Sequence, residues 1–113
     1  KHREGLTLLL NKQNSLILIA EYNYLVVGMV TLQEHISTAA GGTIGIVEDM
    51  VIDENFRRKG IGKMLISSIE SMAIHKGYKR IQLMADNNNV SAMKFYTKQN
   101  WSRTNLIAFF KFL

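Results

Sequence analysis

Residues 50–63 read MVIDENFRRKGIGK, and the rest of the chain is interpreted outward from them. The apolar residues 50–52 are typical of the end of a strand, and an amphipathic pattern typical of a helix starts at Gly60. Between them lie three consecutive basic residues, and a second glycine follows at Gly62. The first turn of a helix presents unpaired N–H groups and the positive end of the helix dipole, and glycine lets a phosphate approach the backbone closely. The segment therefore predicts either a cradle for a diphosphate or an ordinary strand-to-helix turn with a solvated basic rim.

Two other phosphate-binding motifs fail at this position. A Walker A loop requires glycine at position 57 and serine or threonine after Lys63, but the chain has Arg57 and Met64 there. A dinucleotide-binding fingerprint requires glycine at position 65, where the chain has Leu65. The segment is therefore neither a nucleotide-hydrolase loop nor a Rossmann-type loop.

The apolar pattern on both sides of this segment alternates between strands and helices. We predict the tail of a helix over residues 3–12, a turn at 11–14, and a loop at 39–42. Strands are predicted over residues 16–20, 25–32, 44–52, 81–84 and 107–113, with a hairpin turn at 22–24. Helices are predicted over residues 60–76, ended by Gly77, and over 90–99, capped by Asn88 or Asn89 and ended by Asn100. This order implies an α/β or α+β sheet with helices packed on it.

Composition limits the class of protein. The 113 residues make one domain, and 47% hydrophobic with 20% charged residues is a globular composition. The absence of cysteine excludes a disulfide framework and a thiol nucleophile, and it fits the cytoplasm. No apolar run reaches the ~18 residues of a membrane span. The net charge of +5 suits either an anionic partner or a solvated surface.

Two separated motifs resemble one known family. The spacing Arg-x-x-Gly-x-Gly at positions 57, 60 and 62 resembles the acetyl-coenzyme A (acetyl-CoA) loop of the GCN5-related N-acetyltransferase (GNAT) family. Residues 46–52 resemble the strand that precedes this loop in the family. Residues 89–96, NVSAMKFY, resemble its later Asn-x-x-Ala-x-x-Phe/Leu-Tyr signature. The resemblance covers the chain from about residue 3 onward, and it implies an α+β fold. That fold is a mixed, mostly antiparallel sheet with helices on both faces.

The same resemblance implies that the usual N-terminal strand and helix of the family are missing. Family members place a strand and two helices before the strand predicted at 16–20, and here only the end of the second helix is expected. We therefore expect residues 1–113 to be a single, N-terminally truncated acetyl-CoA-binding domain. Residues 16–19 would then be an exposed sheet edge, which favours pairing with another chain. Either the chain is a fragment of a longer protein or a partner covers this edge, for example in a homodimer.

The resemblance implies acetyl-CoA as cosubstrate and no metal. Backbone amides of residues 58–63 would bind the diphosphate, and the basic side chains would screen its charge. The pantetheine arm would pair with the free backbone of strand residues 50 and 52. Asn89 would bind the same arm, although its role as a helix cap needs no ligand. The expected cofactor-binding residues are Met50, Val51, Ile52, Arg57, Arg58, Lys59, Gly60, Ile61, Gly62, Lys63 and Asn89.

The implied reaction is direct acetyl transfer to a primary amine of a small molecule or peptide. A lysine-type amine has a pKa of ~10.4, so only about one molecule in 2,500 is neutral at pH 7, and a base helps. Glu48 is the preferred base, with Asp49 as a second base or an acceptor-binding residue. On a regular strand the two point to opposite faces, and a bulge would change this. Tyr96 is the expected general acid for the leaving thiolate, or else a core aromatic beside Phe95.

Other functions remain as alternatives. A non-catalytic acetyl-CoA-binding or regulatory module would keep the loop without the chemistry. Nucleic-acid binding is not expected, because the basic residues form no regular stripe and no aromatic RNA motif is present. A metal site is not expected either, because His2, His35 and His75 lack ligand spacing. The acceptor stays open between an amino sugar, a polyamine, an aminoglycoside, an amino acid and a protein amino terminus.

Overall fold

The computed structural model of the chain describes residues 4–11 and 15–113. The five strands pair in the order β1–β2–β3–β4–β5; β4 and β5 are parallel, and the other pairs are antiparallel. This confirms the predicted mixed, mostly antiparallel sheet with helices. In the described chain neither α-helix has the length and apolarity to cross a membrane. The elements are β1 (Glu4–Asn11), β2 (Ser15–Tyr22), β3 (Leu25–Ser37), β4 (Gly42–Ile52), a 3-10 turn (Glu54–Phe56), α1 (Ile61–His75), β5 (Ile81–Leu83) and α2 (Val90–Lys98).

The core lies between α1 and one face of the sheet. In β2, Leu16, Leu18 and Ala20 are buried, and the other residues of the strand are only half-buried. Helix α1 meets this face with Leu65, Ile69 and Ala73, which recur every four residues and therefore share one side of the helix. Fully burying each such leucine or isoleucine contributes about 1.5–3 kcal/mol. The core cluster is Leu16, Leu18, Ala20, Val27, Val30, Leu32, Val47, Leu65 and Ile69.

Most predicted element boundaries are confirmed within a few residues. Gly77, with a φ of 78°, ends α1 as expected, and Asn100, with a φ of 68°, follows α2. Asn89 rather than Asn88 caps α2. In the hairpin between β2 and β3, Asn23 and Tyr24 both have positive φ, which matches the right-handed twist of the flanking strands. Strand β3 extends to Ser37, beyond its predicted end.

The prediction of a helix tail over residues 3–12 is wrong, because residues 4–11 form β1. Its register places Leu6 opposite Ala20 and Leu8 opposite Leu18, on the side of the sheet that α1 covers. This alternation suits a strand, but in the sequence it is hidden by the apolar run that follows it. Residues 12–14 of the predicted turn lie outside the described residues.

The expected exposed edge at residues 16–19 is also wrong. These residues belong to β2, which pairs with β1 on one side and with β3 on the other. Between β1 and β2, Thr7 Oγ1 donates a hydrogen bond to Glu21 Oε1 at 2.9 Å. In the described chain the sheet edge on this side is therefore β1.

The predicted last strand at residues 107–113 is wrong as well. Every residue from Ser102 to Leu113 is exposed and none is in a strand. A strand needs a neighbour to satisfy its backbone, and in the described chain β5 pairs with β4 alone. Two aromatic residues of this segment pack against each other, with the Phe110 and Phe112 rings 5.4 Å apart.

Of the described glycines, Gly45 is the one where an added Cβ would lie closest to neighbouring side chains. A Cβ there would lie 2.9 Å from Leu32 Cδ1 and 3.0 Å from two ring carbons of Tyr78. We expect Gly45→Ala to lower the free energy of unfolding by about 1–3 kcal/mol, since overpacking forces neighbours to move. Gly5→Ala is the matched control, because a Cβ at Gly5 meets nothing within 4 Å. Chemical denaturation measures both, and an unchanged stability of Gly45→Ala would contradict the packing described.

Candidate functional site

A groove opens where β4 continues beyond its partner β5. The parallel pairing covers only three positions, Gly45–Val47 of β4 against Ile81–Leu83 of β5. From residue 49 to residue 52, β4 pairs with β3 on one side and with no described strand on the other. The groove has a volume of about 1350 Å³ and is lined by the end of β4, the start of α1, the residues after β5, and α2.

The backbone at the end of β4 faces this groove. The Asp53 N–H donates to the Val27 carbonyl of β3 at 2.8 Å, so Asp53 points toward β3. Because strand residues alternate in direction, the backbone groups of Ile52 and Met50 point away from β3. In agreement, the Ile52 carbonyl accepts from Arg57 Nε at 3.2 Å. The strand end thus offers an extended ligand chain a free edge.

A β-bulge brings both candidate carboxylates to the groove. Thr31 of β3 pairs with Asp49, and the next residue, Leu32, pairs with Val47, so Glu48 is the extra residue. Glu48 and Asp49 are both exposed and both line the groove. Thr31 Oγ1 accepts from the Asp49 N–H at 3.1 Å and lies 3.4 Å from Asp49 Oδ2, to which it donates. Thr31 therefore orients Asp49, whereas in the described chain no hydrogen bond engages the Glu48 carboxylate.

The start of α1 carries no side-chain cap. Gly60 is the N-cap, in the left-handed conformation with a φ of 82°, and it has no side chain to accept from the first-turn amides. The first turn also contains no acidic residue, so the positive end of the helix dipole is not neutralised locally. The N–H groups of residues 61–63 precede the first helical bond, which runs from Met64 to Gly60. This end of the groove can hold an anion.

The basic residues around the start of α1 divide between the groove and its surroundings. Arg57, Arg58 and Lys63 line the groove. Lys59 does not line it, and its Nζ lies 5.6 Å from the centre of the Phe56 ring. The structure therefore brings ten of the eleven expected cofactor-binding residues to the groove and leaves Lys59 outside.

Helix α2 forms the opposite wall of the groove with Asn89 and Tyr96. Asn89 Oδ1 accepts from the Ala92 N–H at 3.1 Å, so its oxygen caps the helix while its amide nitrogen remains a donor. Tyr96 is half-buried, with its ring 5.2 Å from Phe95 and 5.8 Å from Trp101. Burial raises the pKa of Tyr96, so its hydroxyl keeps the proton at neutral pH.

Two contributors to the groove are not evident from sequence reasoning. Glu70 lines it from α1 and accepts from Trp101 Nε1 at 3.1 Å. The sequence gives a weak indication of Glu70, because this residue lies four positions after the buried Ile66 and therefore next to the apolar face of α1. Thr31 carries no local signal, because only the β3–β4 register places it beside Asp49. The described residues hold no cluster of three or more His, Asp or Glu side chains that could bind a metal ion.

The comparisons with known proteins agree on one family. The sequence model of the Acetyltransferase (GNAT) family matches residues 1–101. The chain is 43% identical over 58 residues, 51% of its length, to a chloroplastic GCN5-related N-acetyltransferase of Arabidopsis thaliana. It is 36% identical over 50 residues, 44% of its length, to an L-ornithine N5-acetyltransferase of the same plant. The matches span 20% and 22% of these two relatives.

Among solved structures, the chain resembles an aminoglycoside acetyltransferase from an uncultured soil metagenomic sample, crystallised with trehalose. The TM-score is 0.84 at 25% sequence identity. The similarity covers 93% of this chain and 70% of that one.

Proposed function

Because the chain belongs to the acetyltransferase (GNAT) family, we propose that it transfers the acetyl group of acetyl-CoA directly to a primary amine. The observation that carries this proposal is the groove itself. It joins an uncapped helix start, a free strand edge, a carboxylate on a bulge and a protonated tyrosine in one continuous lining.

The α1 end of the groove would bind the diphosphate of acetyl-CoA. The amides of residues 61–63 would donate hydrogen bonds to the diphosphate oxygens, because the first turn of α1 holds these N–H groups in fixed positions. Arg58 and Lys63 would screen the negative charge, since both residues line the groove. Arg57 has fewer donors available for the diphosphate, because its Nε donates to the Ile52 carbonyl at 3.2 Å. Its other guanidinium nitrogens remain donors for the ligand.

The free edge of β4 would bind the pantetheine arm as an added strand. The arm carries amide groups, and these match the groove-facing backbone of Met50 and Ile52. Asn89 would donate from its side-chain nitrogen across the groove, because its oxygen is occupied by the helix cap. This alignment would lay the thioester beside the bulge, where the Met50 N–H is available to the developing oxyanion.

The chemistry would then follow from the two sides of the groove. Glu48 would accept a proton from the acceptor ammonium, directly or through a water molecule, and free the nitrogen lone pair. The nitrogen would attack the thioester carbon to form a tetrahedral intermediate, and the C–S bond would then break. The electron pair would leave on sulfur, to which the Tyr96 hydroxyl would donate its proton, and the second proton of the new amide nitrogen would pass through solvent to the Tyr96 oxygen and restore the acid.

The acetyl acceptor that the groove supports best is a small-molecule amine. Glu48 and Asp49 place two carboxylates at the acceptor end of the groove, and carboxylates attract an ammonium group. The names of the relatives point the same way, since one acts on L-ornithine and another on aminoglycosides. A peptide amine is the alternative within the same chemistry.

Release of free thiol tests the proposal directly. The full chain is mixed with acetyl-CoA and, one at a time, ornithine, a polyamine, an aminoglycoside, glucosamine 6-phosphate and an amino-terminal peptide. We expect amine-dependent thiol release with at least one of them, above a reaction without amine. Binding of acetyl-CoA without thiol release over the whole panel would favour the non-catalytic module, and absence of binding would contradict both functions.

Glu48→Gln should slow the reaction in a pH-dependent manner. We expect a loss in kcat/KM of about 100-fold or more at pH 7, the usual contribution of a general base. Near pH 10 about a quarter of a lysine-type amine is neutral without help, against about one molecule in 2,500 at pH 7, so the loss should shrink to below about tenfold. Asp49→Asn is the matched control and should mainly raise the KM for the amine, because Thr31 holds Asp49 in a binding position. A loss for Glu48→Gln that is the same at both pH values would remove Glu48 as the base.

A further inference from the structure

We infer that the hydrogen bond between Glu70 and Trp101 holds Tyr96 at its place in the groove, which makes Glu70 and Trp101 positioning residues for the transfer. Trp101 Nε1 donates to Glu70 Oε2 at 3.1 Å, and Glu70 itself lines the groove. The inference rests on the proposed function, because Tyr96 is the proposed acid.

Helix α2, which carries Tyr96, has little packing of its own. None of its nine residues is buried, so no core side chain fixes it against the sheet. One contact to α1 comes from Phe95, whose Cζ lies 3.4 Å from the position of a Cβ at Gly62. Another comes from Trp101, just beyond the helix, which donates to Glu70 and packs against the edge of the core. Losing the Glu70–Trp101 bond would therefore remove one of the attachments that set the rotation of α2.

Trp101 is coupled closely to Tyr96. The positive φ of Asn100, 68°, turns the chain back so that the Trp101 N–H donates to the Tyr96 carbonyl at 3.0 Å. The two rings also lie 5.8 Å apart in a tilted arrangement. A shift of the Trp101 indole therefore moves the backbone and the ring of Tyr96 together.

Glu70 connects this assembly to the diphosphate end of the groove. It belongs to α1, the same helix whose first turn presents the amides of residues 61–63. The Glu70–Trp101 bond thus fixes the distance between the bound diphosphate and the Tyr96 hydroxyl. A hydrogen bond to a charged acceptor is stronger than one between neutral groups, which suits this purpose.

The test compares variants that break the bond with one that keeps it. Trp101→Phe retains a ring beside Tyr96 but loses the N–H, and Glu70→Ala loses the acceptor. Each variant should lower kcat by about 3- to 10-fold, because the Tyr96 hydroxyl would be slightly displaced from the leaving sulfur. The KM for acetyl-CoA should change less than about twofold. Glu70→Gln keeps an acceptor oxygen and should turn over within about twofold of wild type. Ser71→Ala, an exposed neighbour on α1, is the control and should match wild type.

Two readouts separate positioning from other roles. In a Tyr96→Phe background, Trp101→Phe should cause no further loss in kcat, because Trp101 acts through the Tyr96 hydroxyl. A full additional loss would overturn the inference, and so would a Glu70→Gln variant as slow as Glu70→Ala, which would make Glu70 a base.

Fluorescence adds a measurement that needs no activity. Trp101 is the single tryptophan of the chain, so its emission reports the surroundings of this indole with no other tryptophan contributing. Glu70→Ala should shift the emission toward that of a water-exposed indole, and Glu70→Gln should not. An emission unchanged in Glu70→Ala, or an active wild type whose Trp101→Phe variant has normal kcat, would overturn the inference alone. An inactive wild type with the expected emission shift would overturn the proposed function and, with it, the role of the bond.

Discussion

Replacing Gly62 by aspartate is expected to abolish acetyl-CoA binding while leaving the chain folded. Gly62 is the second residue of α1, and a Cβ there would meet Phe95 at 3.4 Å and Met50 at 3.8 Å, both ordinary contacts. An acidic group in the first turn stabilises a helix by about 0.3–1 kcal/mol, because it complements the dipole. The same carboxylate would occupy the place of the diphosphate and repel it. We expect affinity to fall at least about 30-fold, which corresponds to about 2 kcal/mol.

Gly62→Ala is the matched control for this change. It adds the same Cβ without the charge, so its affinity should remain within about threefold of wild type. Calorimetric titration with acetyl-CoA measures binding, and thermal denaturation measures stability. An aspartate variant that binds as tightly as wild type would show that the diphosphate does not lie at the start of α1. A variant that loses binding only because it unfolds would show a lower melting temperature, opposite to the expected direction.

Tyr96→Phe is expected to lower kcat strongly with little effect on acetyl-CoA affinity. The phenyl ring keeps the contacts with Phe95 and Trp101, and only the hydroxyl is lost. Removing a general acid typically costs about 10²- to 10⁴-fold in rate, and we expect a loss in the lower half of this range because water can protonate the thiolate slowly. The KM for acetyl-CoA should change less than about threefold. Normal turnover of this variant would remove Tyr96 from the mechanism.

The pH dependence gives an independent check on Tyr96. Burial raises the pKa of Tyr96 above the ordinary tyrosine value of 10.0, so the acid form persists into alkaline solution. The fall in kcat due to loss of this proton should therefore lie above pH 10 in the wild type and be absent from Tyr96→Phe. A fall centred well below pH 10 would assign the acid role to another group.

The parts of the fold that sequence reasoning anticipates are those with local causes. Helix α1 has a four-residue apolar repeat and a glycine at each end, and the turn at Asn23 and Tyr24 sits between two apolar strands. Such features depend on residues within a few positions of each other. The two wrong elements, at residues 3–12 and 107–113, depend on whether another strand lies alongside. Residues 4–11 lie beside the edge of β2 and form β1. Residues 107–113 are similarly apolar but have no described strand beside them, and they stay irregular.

The candidate site divides in the same way. The motifs at residues 57–62 and 89–96 indicate the groove because each contributes several lining residues from one short stretch of sequence. The orientation of Asp49 depends on Thr31, eighteen residues earlier, and the position of Trp101 depends on Glu70, thirty-one residues earlier. These distant pairs follow from strand register and helix placement. The bulge at Glu48 was anticipated as one option, and only the β3–β4 pairing selects it.

The most direct test of the account is an amide NMR titration of the full chain with acetyl-CoA. If the diphosphate binds at the start of α1 and the arm lies along β4, the N–H resonances of Ile61, Gly62 and Lys63 should shift most. Those of Met50 and Ile52 should shift with the same saturation curve. Unmoved resonances at these five positions, with shifts elsewhere or none at all, would contradict the binding of acetyl-CoA in this groove.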